Sequence, residues 1–164
     1  MINLDALNIR IFGDGANINE MLSLYADPRI KGFTTNPTLM RKAGIADYEA
    51  FALEVLEKIA DRPISFEVFA DDFPAMDAQA QVINSWGANV YVKIPVTNTK
   101  AEPSYDLIRS LSKQGIKLNV TAIMTDDQVK SVVDALDIDT PAVVSLSLIH
   151  ISEPTRRTPI SYAV

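Results

Sequence analysis

The feature that most constrains this chain is the regular exchange of two periodicities along it. Short apolar runs rich in β-branched and aromatic residues alternate with longer stretches whose apolar residues recur at helical spacing. The strand-like runs are Ile9 to Phe12, Ile30 to Thr34, Ile64 to Phe69, Asn89 to Pro95, Ile116 to Ile123, and a sixth that begins at Ala142. Between them, the spacing predicts helices with inward stripes. Asn17 and Glu20 form a capping-box pattern ahead of Ile18, Met21, Leu22 and Tyr25. Phe51, Val55, Leu56 and Ile59 mark a helix from Asp47 to about Ala60. Met76, Ala80, Ile83 and Trp86 follow Pro74, and Leu107, Ile108 and Leu111 lie between Pro103 and Gln114. Thr125 and Gln128 form a second capping box before Val129, Val132, Val133 and Leu136.

Such alternation implies α/β architecture, with parallel strands joined by right-handed crossovers. Two closures compete. An open doubly wound sheet usually announces its ligand with a glycine-rich first turn. The first turn here is Gly13-Asp14-Gly15-Ala16-Asn17, neither a dinucleotide nor a phosphate-loop pattern. The other closure is a (β/α)8 barrel of the TIM type. At about 26 residues per unit, the chain holds about five and a half units of such a barrel, so an incomplete barrel is expected.

Composition removes several kinds of function. With no cysteine there is no disulfide framework and no thiol chemistry, and the one histidine is His150, near the C-terminus. A Ser-His-Asp mechanism or a multi-histidine metal site is therefore disfavoured, and no metal or cofactor is expected. The net charge of −6 argues against nucleic acid or an anionic membrane as main partner. The N-terminal stretch has no basic start followed by an apolar run, and no apolar run reaches spanning length, so a cytoplasmic protein is expected.

Each unit places one polar residue at or near the C-terminal end of its strand: Asp14, Asn36, Glu67, Lys93, Thr121 and Ser145. In a (β/α)8 barrel such positions converge on one pocket. Lys93 stands in the middle of Val90-Tyr91-Val92-Lys93-Ile94-Pro95. Taken alone it reads as a strand-end lysine that snorkels to solvent. A lysine amine in a dry pocket is also a nucleophile that forms a Schiff base with a carbonyl. Its company suits that chemistry. Asp14 and Glu67 are carboxylates for proton transfer, and Asn36, Asn119 and Thr121 are neutral hydrogen-bonding groups for a polyol. Asp14 and Asn36 also read as turn residues, and Asp71-Asp72 reads as a solvated loop. Glu67, between Phe66 and Val68, needs a partner in a sheet covered on both faces. Met21, Met40, Met76 and Met124 read as core fillers.

Four segments carry a resemblance. Lys31-Gly32-Phe33-Thr34-Thr35-Asn36-Pro37-Thr38-Leu39, Pro63-Ile64-Ser65-Phe66-Glu67-Val68, Val90-Tyr91-Val92-Lys93-Ile94-Pro95 and Lys117-Leu118-Asn119-Val120-Thr121-Ala122 resemble successive strand motifs of the transaldolase family. That family includes the smaller fructose-6-phosphate aldolase-like members. The resemblance covers Ile9 to about Ser145 without gaps. It implies a metal-free, class I barrel enzyme acting on sugar phosphates. By position, Lys93 is the Schiff-base lysine and Asp14 the acid/base at the cleaved bond. Glu67 and Thr121 hold a proton-shuttling water, Thr34, Asn36 and Asn119 bind substrate, and Ser145 lies beside the phosphate end. The implied reaction transfers a dihydroxyacetone unit from a ketose phosphate to an aldose phosphate. The alternatives are an aldolase-type lyase that releases that unit, and an inactive barrel that only binds sugar phosphate. Glu67 resembles the transferase branch, since some aldolase-type members carry glutamine there. The oligomeric state stays open, and a homo-oligomeric full-length parent is compatible with the resemblance.

The pattern breaks after Ser145. The family would continue through a phenylalanine and a Gly-Arg pair that grips phosphate. Residues 146–164 carry no helical stripe and no such pair. Residues 1–145 are thus expected to form the N-terminal two-thirds of a transaldolase-like barrel, and 146–164 a non-family tail that is translated read-through or disordered. A barrel left open in this way exposes parallel edges, so low stability and little turnover are expected of the chain as it stands.

Overall fold

The computed structural model describes residues 9–147. The first strand, β1 (Ile11–Asp14), leads through Gly15 into α1 (Ile18–Tyr25), whose start is held by the Asn17 side chain accepting from the Asn19 and Glu20 amides. β2 (Ile30–Thr34) follows. Gly32 is required there, because a Cβ would lie 2.8 Å from the Pro63 carbonyl oxygen and inside the contact radius of the Phe12 ring. Next come α2 (Pro37–Lys42), α3 (Tyr48–Lys58), β3 (Ile64–Glu67), α4 (Phe73–Ser85) and β4 (Val90–Pro95). The described chain ends with α5 (Tyr105–Lys113), β5 (Leu118–Ile123), α6 (Asp126–Ala135) and β6 (Ala142–Leu146).

The strands form one parallel sheet in sequential order, β1 to β6, curled into a half-barrel of the incomplete (β/α)8 type. A doubly wound sheet would reverse its strand order at a switch point; this order never reverses. β1 and β6 are the sheet's two edges among the described residues.

Strand alternation sorts side chains onto two faces. In β4, Val90, Val92 and Ile94 are buried, while Tyr91, Lys93 and Pro95 are half-buried. Phe33, Ile64, Phe66, Leu118 and Val120 join the first set in a core shared with Met76, Ala80 and Ile83 of α4 and Ile108 and Leu111 of α5. Burying each large side chain stabilises by about 1.5–3 kcal/mol. The other face carries Thr34, Ser65, Glu67, Lys93, Asn119 and Ser145, so the sheet's alternation gathers the polar set on one side.

Three local expectations change. A helix absent from the sequence reading, α2, follows β2 directly; Asn36 caps it and Pro37 is at its first turn. Its stripe is too short to announce itself, with only Met40 fully buried. Val133 points away from the core and is 55% exposed, because α6 rests on the sheet through Val132 and Ala135. Met124 is 48% exposed at the end of β5, whereas Met21, Met40 and Met76 are core residues. The capping box of Thr125 and Gln128 forms in both directions. The expectations for residues 148–164, His150 included, lie outside the described residues.

Candidate active site

At the C-terminal end of β3, Glu67 pairs in register with Lys93 of β4, and Lys93 with Asn119 of β5. These three residues therefore form one rung across the central strands. Lys93 Nζ lies 3.1 Å from Glu67 Oε2 and donates to the Thr35 carbonyl at 3.2 Å. The side chains are only 12% and 20% exposed. A pair this sheltered needs both its members, because removing one leaves the other charge poorly solvated. Glu67 thus has the partner that its apolar flanks demanded.

Asn119 is 3% exposed and doubly held. Its Nδ2 donates to Ser65 Oγ at 3.1 Å, and its Oδ1 accepts from Ser145 Oγ at 2.8 Å. These two bonds fix which way the amide faces, and each end keeps one further valence. The chain Ser145–Asn119–Ser65 spans β6, β5 and β3, passing the β4 strand that carries Lys93. Ser65 was missed in the sequence reading. Its signal was available: it is two residues before Glu67, hence on the same face of β3.

The other sequence-selected residues lie on the flanks. Asp14, at the end of β1, pairs in register with Thr34 of β2, and Thr34 Oγ1 donates to Asp14 Oδ1 at 2.7 Å. Asn36 has extended backbone, as the following proline requires, and its Oδ1 accepts from the Leu39 amide at 3.0 Å to cap α2. Its NH2 group remains the donor end. Thr121 pairs with Pro95, and its carbonyl accepts from the Val96 amide at 2.9 Å. Immediately after it, Ala122 has φ 60° and the β5–β6 register shifts. A non-glycine residue in this region is strained, and a bulge of this kind re-aims neighbouring side chains.

Two loops at the rim are tied together. Asp71, in the β3–α4 loop, accepts from the Thr99 amide at 2.8 Å and from Thr99 Oγ1 at 2.5 Å in the β4–α5 loop. The Thr99 hydroxyl, then its amide, hold the Asp71 carboxyl below its ordinary range. Asp72 caps α4 by accepting from the Ala75 amide. Asp71-Asp72 is therefore a solvent-exposed loop, as expected, and one that is anchored to its neighbours. Among the described residues no helix is long and apolar enough to cross a membrane.

A family model described as transaldolase/fructose-6-phosphate aldolase matches residues 11–152. The chain is 38% identical over 120 residues to a "Probable transaldolase" of Dehalococcoides mccartyi, covering 73% of this chain and 54% of the relative. It is 39% identical over 120 residues to a "Probable transaldolase" of a Thermoanaerobacter species, covering 73% and 53%. The chain thus spans about half the length of the curated relatives it matches. Among solved structures, a dihydrodipicolinate synthase of Rhodopseudomonas palustris superposes with a TM-score of 0.54 at 18% identity, covering 84% of this chain and 53% of that one. That likeness concerns the fold alone. With the family match spanning most of its length, the chain belongs to the transaldolase/fructose-6-phosphate aldolase family.

Proposed function

We propose that this chain carries the Schiff-base machinery of a transaldolase. It would transfer a dihydroxyacetone unit from a ketose phosphate to an aldose phosphate, as a cytoplasmic enzyme of the pentose phosphate pathway. The observation that carries the reading is the sheltered Lys93–Glu67 pair at 3.1 Å. An amine there meets a proton acceptor at hydrogen-bond distance, as carbinolamine chemistry requires.

The steps assign each residue the role that the family resemblance implies. The Lys93 amine attacks the ketose carbonyl carbon, forming a C–N bond, and the carbonyl oxygen takes up a proton. Glu67, with a water held by Thr121, moves protons so that this oxygen leaves as water and a protonated imine remains. Asp14 accepts the proton of the hydroxyl beside the bond to be cleaved. That oxygen becomes a carbonyl, the carbon–carbon bond breaks, and its electron pair flows into the imine to give an enamine. The aldose phosphate departs. The enamine carbon attacks the aldehyde carbon of a second aldose phosphate, the imine re-forms, the aldehyde oxygen takes back the proton held by Asp14, and water adds to the imine and releases the new ketose from Lys93. Thr34, Asn36 and Asn119 orient hydroxyls, and Ser145 sits toward the phosphate; holding the reactants in place supplies much of the rate gain. Glu67 favours transfer over release by its resemblance to the transferase branch.

Borohydride trapping with fructose 6-phosphate tests the reading. The peptide containing Lys93 should gain the mass of a reduced adduct, and Lys93→Ala should gain none. An unmodified Lys93 peptide in the folded wild-type chain would refute the proposal.

A further inference from the structure

The ladder between β2 and β3 runs out at a proline, and the group that replaces its missing donor adjoins the candidate site. In a parallel pair, one strand donates to its neighbour from alternate residues. Here the Phe33 amide donates to the Pro63 carbonyl at 2.9 Å, and the Thr35 amide to the Ser65 carbonyl at 3.1 Å. The next donor in this series is residue 37 and the next acceptor is the Glu67 carbonyl. Residue 37 is proline, which has no N–H. The Glu67 carbonyl instead accepts from the Tyr48 hydroxyl, at 3.1 Å.

Tyr48 is built to deliver that hydroxyl. It is the first residue of α3. Its ring packs edge-to-face against Phe69, Trp86 and Phe66, with centroids 4.8, 5.2 and 6.0 Å away. Such contacts fix a ring's position without using its polar end. Burial pushes the Tyr48 phenol well above its ordinary range, and the Glu67 charge acts in the same direction, so the group stays a neutral donor. Beyond Glu67, β3 is held on its other side by the Val68 amide donating to the Lys93 carbonyl at 3.2 Å. The Tyr48 bond and this one therefore grip the same strand end from opposite sides.

We propose that Tyr48 is a positioning residue, whose hydroxyl stands in for the backbone donor that Pro37 lacks and fixes the end of β3 from which Glu67 meets Lys93. The proposal deepens the transaldolase reading and rests on Lys93 being the reacting amine. It explains how the Asn36–Pro37 turn, which starts α2, is tolerated beside a pair that must be held closely.

The test is a double-mutant cycle of Tyr48→Phe and Glu67→Gln, read by cyanoborohydride trapping of dihydroxyacetone on the Lys93 peptide. Tyr48→Phe keeps the ring and removes the bond. It should lower the maximal trapping rate about fivefold, the worth of one such hydrogen bond, and leave the half-saturating dihydroxyacetone concentration unchanged. In the Glu67→Gln background it should cause no further fall. Val55→Ala, in the core-facing stripe of the same helix, should lower the melting temperature without changing the rate. An equal fall in both backgrounds, no fall in either, or a rate loss matched by Val55→Ala would overturn the proposal. If the wild-type chain traps no adduct, the transaldolase reading fails. The same cycle is then read by acetylation of Lys93 with acetic anhydride. Coupling of the two substitutions in that rate supports the positioning role, and additivity rejects it.

Discussion

The two ends of the sheet use polar residues differently. At the N-terminal end, polar side chains fasten loops and satisfy carbonyls. Arg62 lies over the Tyr25 ring at 4.3 Å and donates to the Asp27 carbonyl at 3.2 Å. Tyr25 donates to Asp61 at 2.7 Å, Lys117 to the Ala88 carbonyl at 2.7 Å, and Asn89 to the carbonyls of Ile59 and Arg62. At the C-terminal end Lys93 and Tyr48 also serve carbonyls, but a network is added in which side chains bond to side chains of other strands: Thr34 to Asp14, Lys93 to Glu67, Ser145 to Asn119 and Asn119 to Ser65. The first end closes chain reversals. The second holds hydrogen-bonding groups in place with valences left over for a ligand, the division of labour expected of a barrel's two faces.

The comparison breaks most visibly at Asn89. Its amide supplies two donors, at 2.9 and 2.8 Å, to the Ile59 and Arg62 carbonyls. Asn89→Ala should destabilise by about 2–3 kcal/mol, measured by urea unfolding, because the carbonyls of buried Ile59 and half-buried Arg62 lose their partner. Trapping at Lys93 in the folded fraction should keep the wild-type rate. A variant that loses trapping while keeping its stability would show that the ends are not separable.

Ser145 is the mirror case at the other end. Ser145→Ala removes the donor to Asn119 Oδ1, so the amide is held by Ser65 alone. The stability loss should be about 1 kcal/mol, that of one ordinary hydrogen bond. Trapping of fructose 6-phosphate should fall several-fold, chiefly through a higher half-saturating concentration. Ser65→Ala should act in the same direction from the opposite side of the amide. A stability loss with no change in trapping would make this chain of bonds structural only.

Much of this was legible in the sequence, and the gaps have physical causes. Alternation implied a parallel sheet but was shared by the doubly wound competitor; the first turn, which lacks a glycine-rich ligand pattern, and the family resemblance favoured the sequential order of a barrel. The Lys93 rung followed from polar residues set in apolar strands, where burial demands a partner. The short helix α2 was invisible, because a single fully buried residue makes no periodic signal. Tyr48 was invisible for another reason. Its role depends on the β2–β3 register and on the N–H missing at Pro37, and neither is a property of the residues around Tyr48 itself. Ser65 is the intermediate case, placed by simple alternation but chemically silent until Asn119 reaches it.

The gentlest test of the comparison is acid, since each end holds one carboxylate below its ordinary range. Hydrogen bonds from the Arg29 side chain, then its amide, pull Asp27 from 3.8 down to about 2 at the N-terminal end. Bonds from Thr99 lower Asp71 at the C-terminal rim. In both, the folded state binds its proton more weakly than the unfolded chain. Each contribution is therefore fully present above about pH 4 and, for Asp27, disappears as pH falls toward about 2. Asp71 is exposed and Asp27 partly so, and solvent screens both, so each effect is small. Asp27→Asn and Asp71→Asn should each flatten part of the acid limb of a urea-midpoint profile. At neutral pH they should part company. Asp27→Asn should leave trapping at Lys93 unchanged, because the Asp27 carboxylate is bonded to Arg29 at the opposite end of the sheet. Asp71→Asn loosens the tie between the loops that follow Glu67 and Lys93, and should slow trapping by a factor of about two. Equal trapping in the two variants would mean that the rim tie serves stability alone, and that the division between the ends stops at the strands themselves.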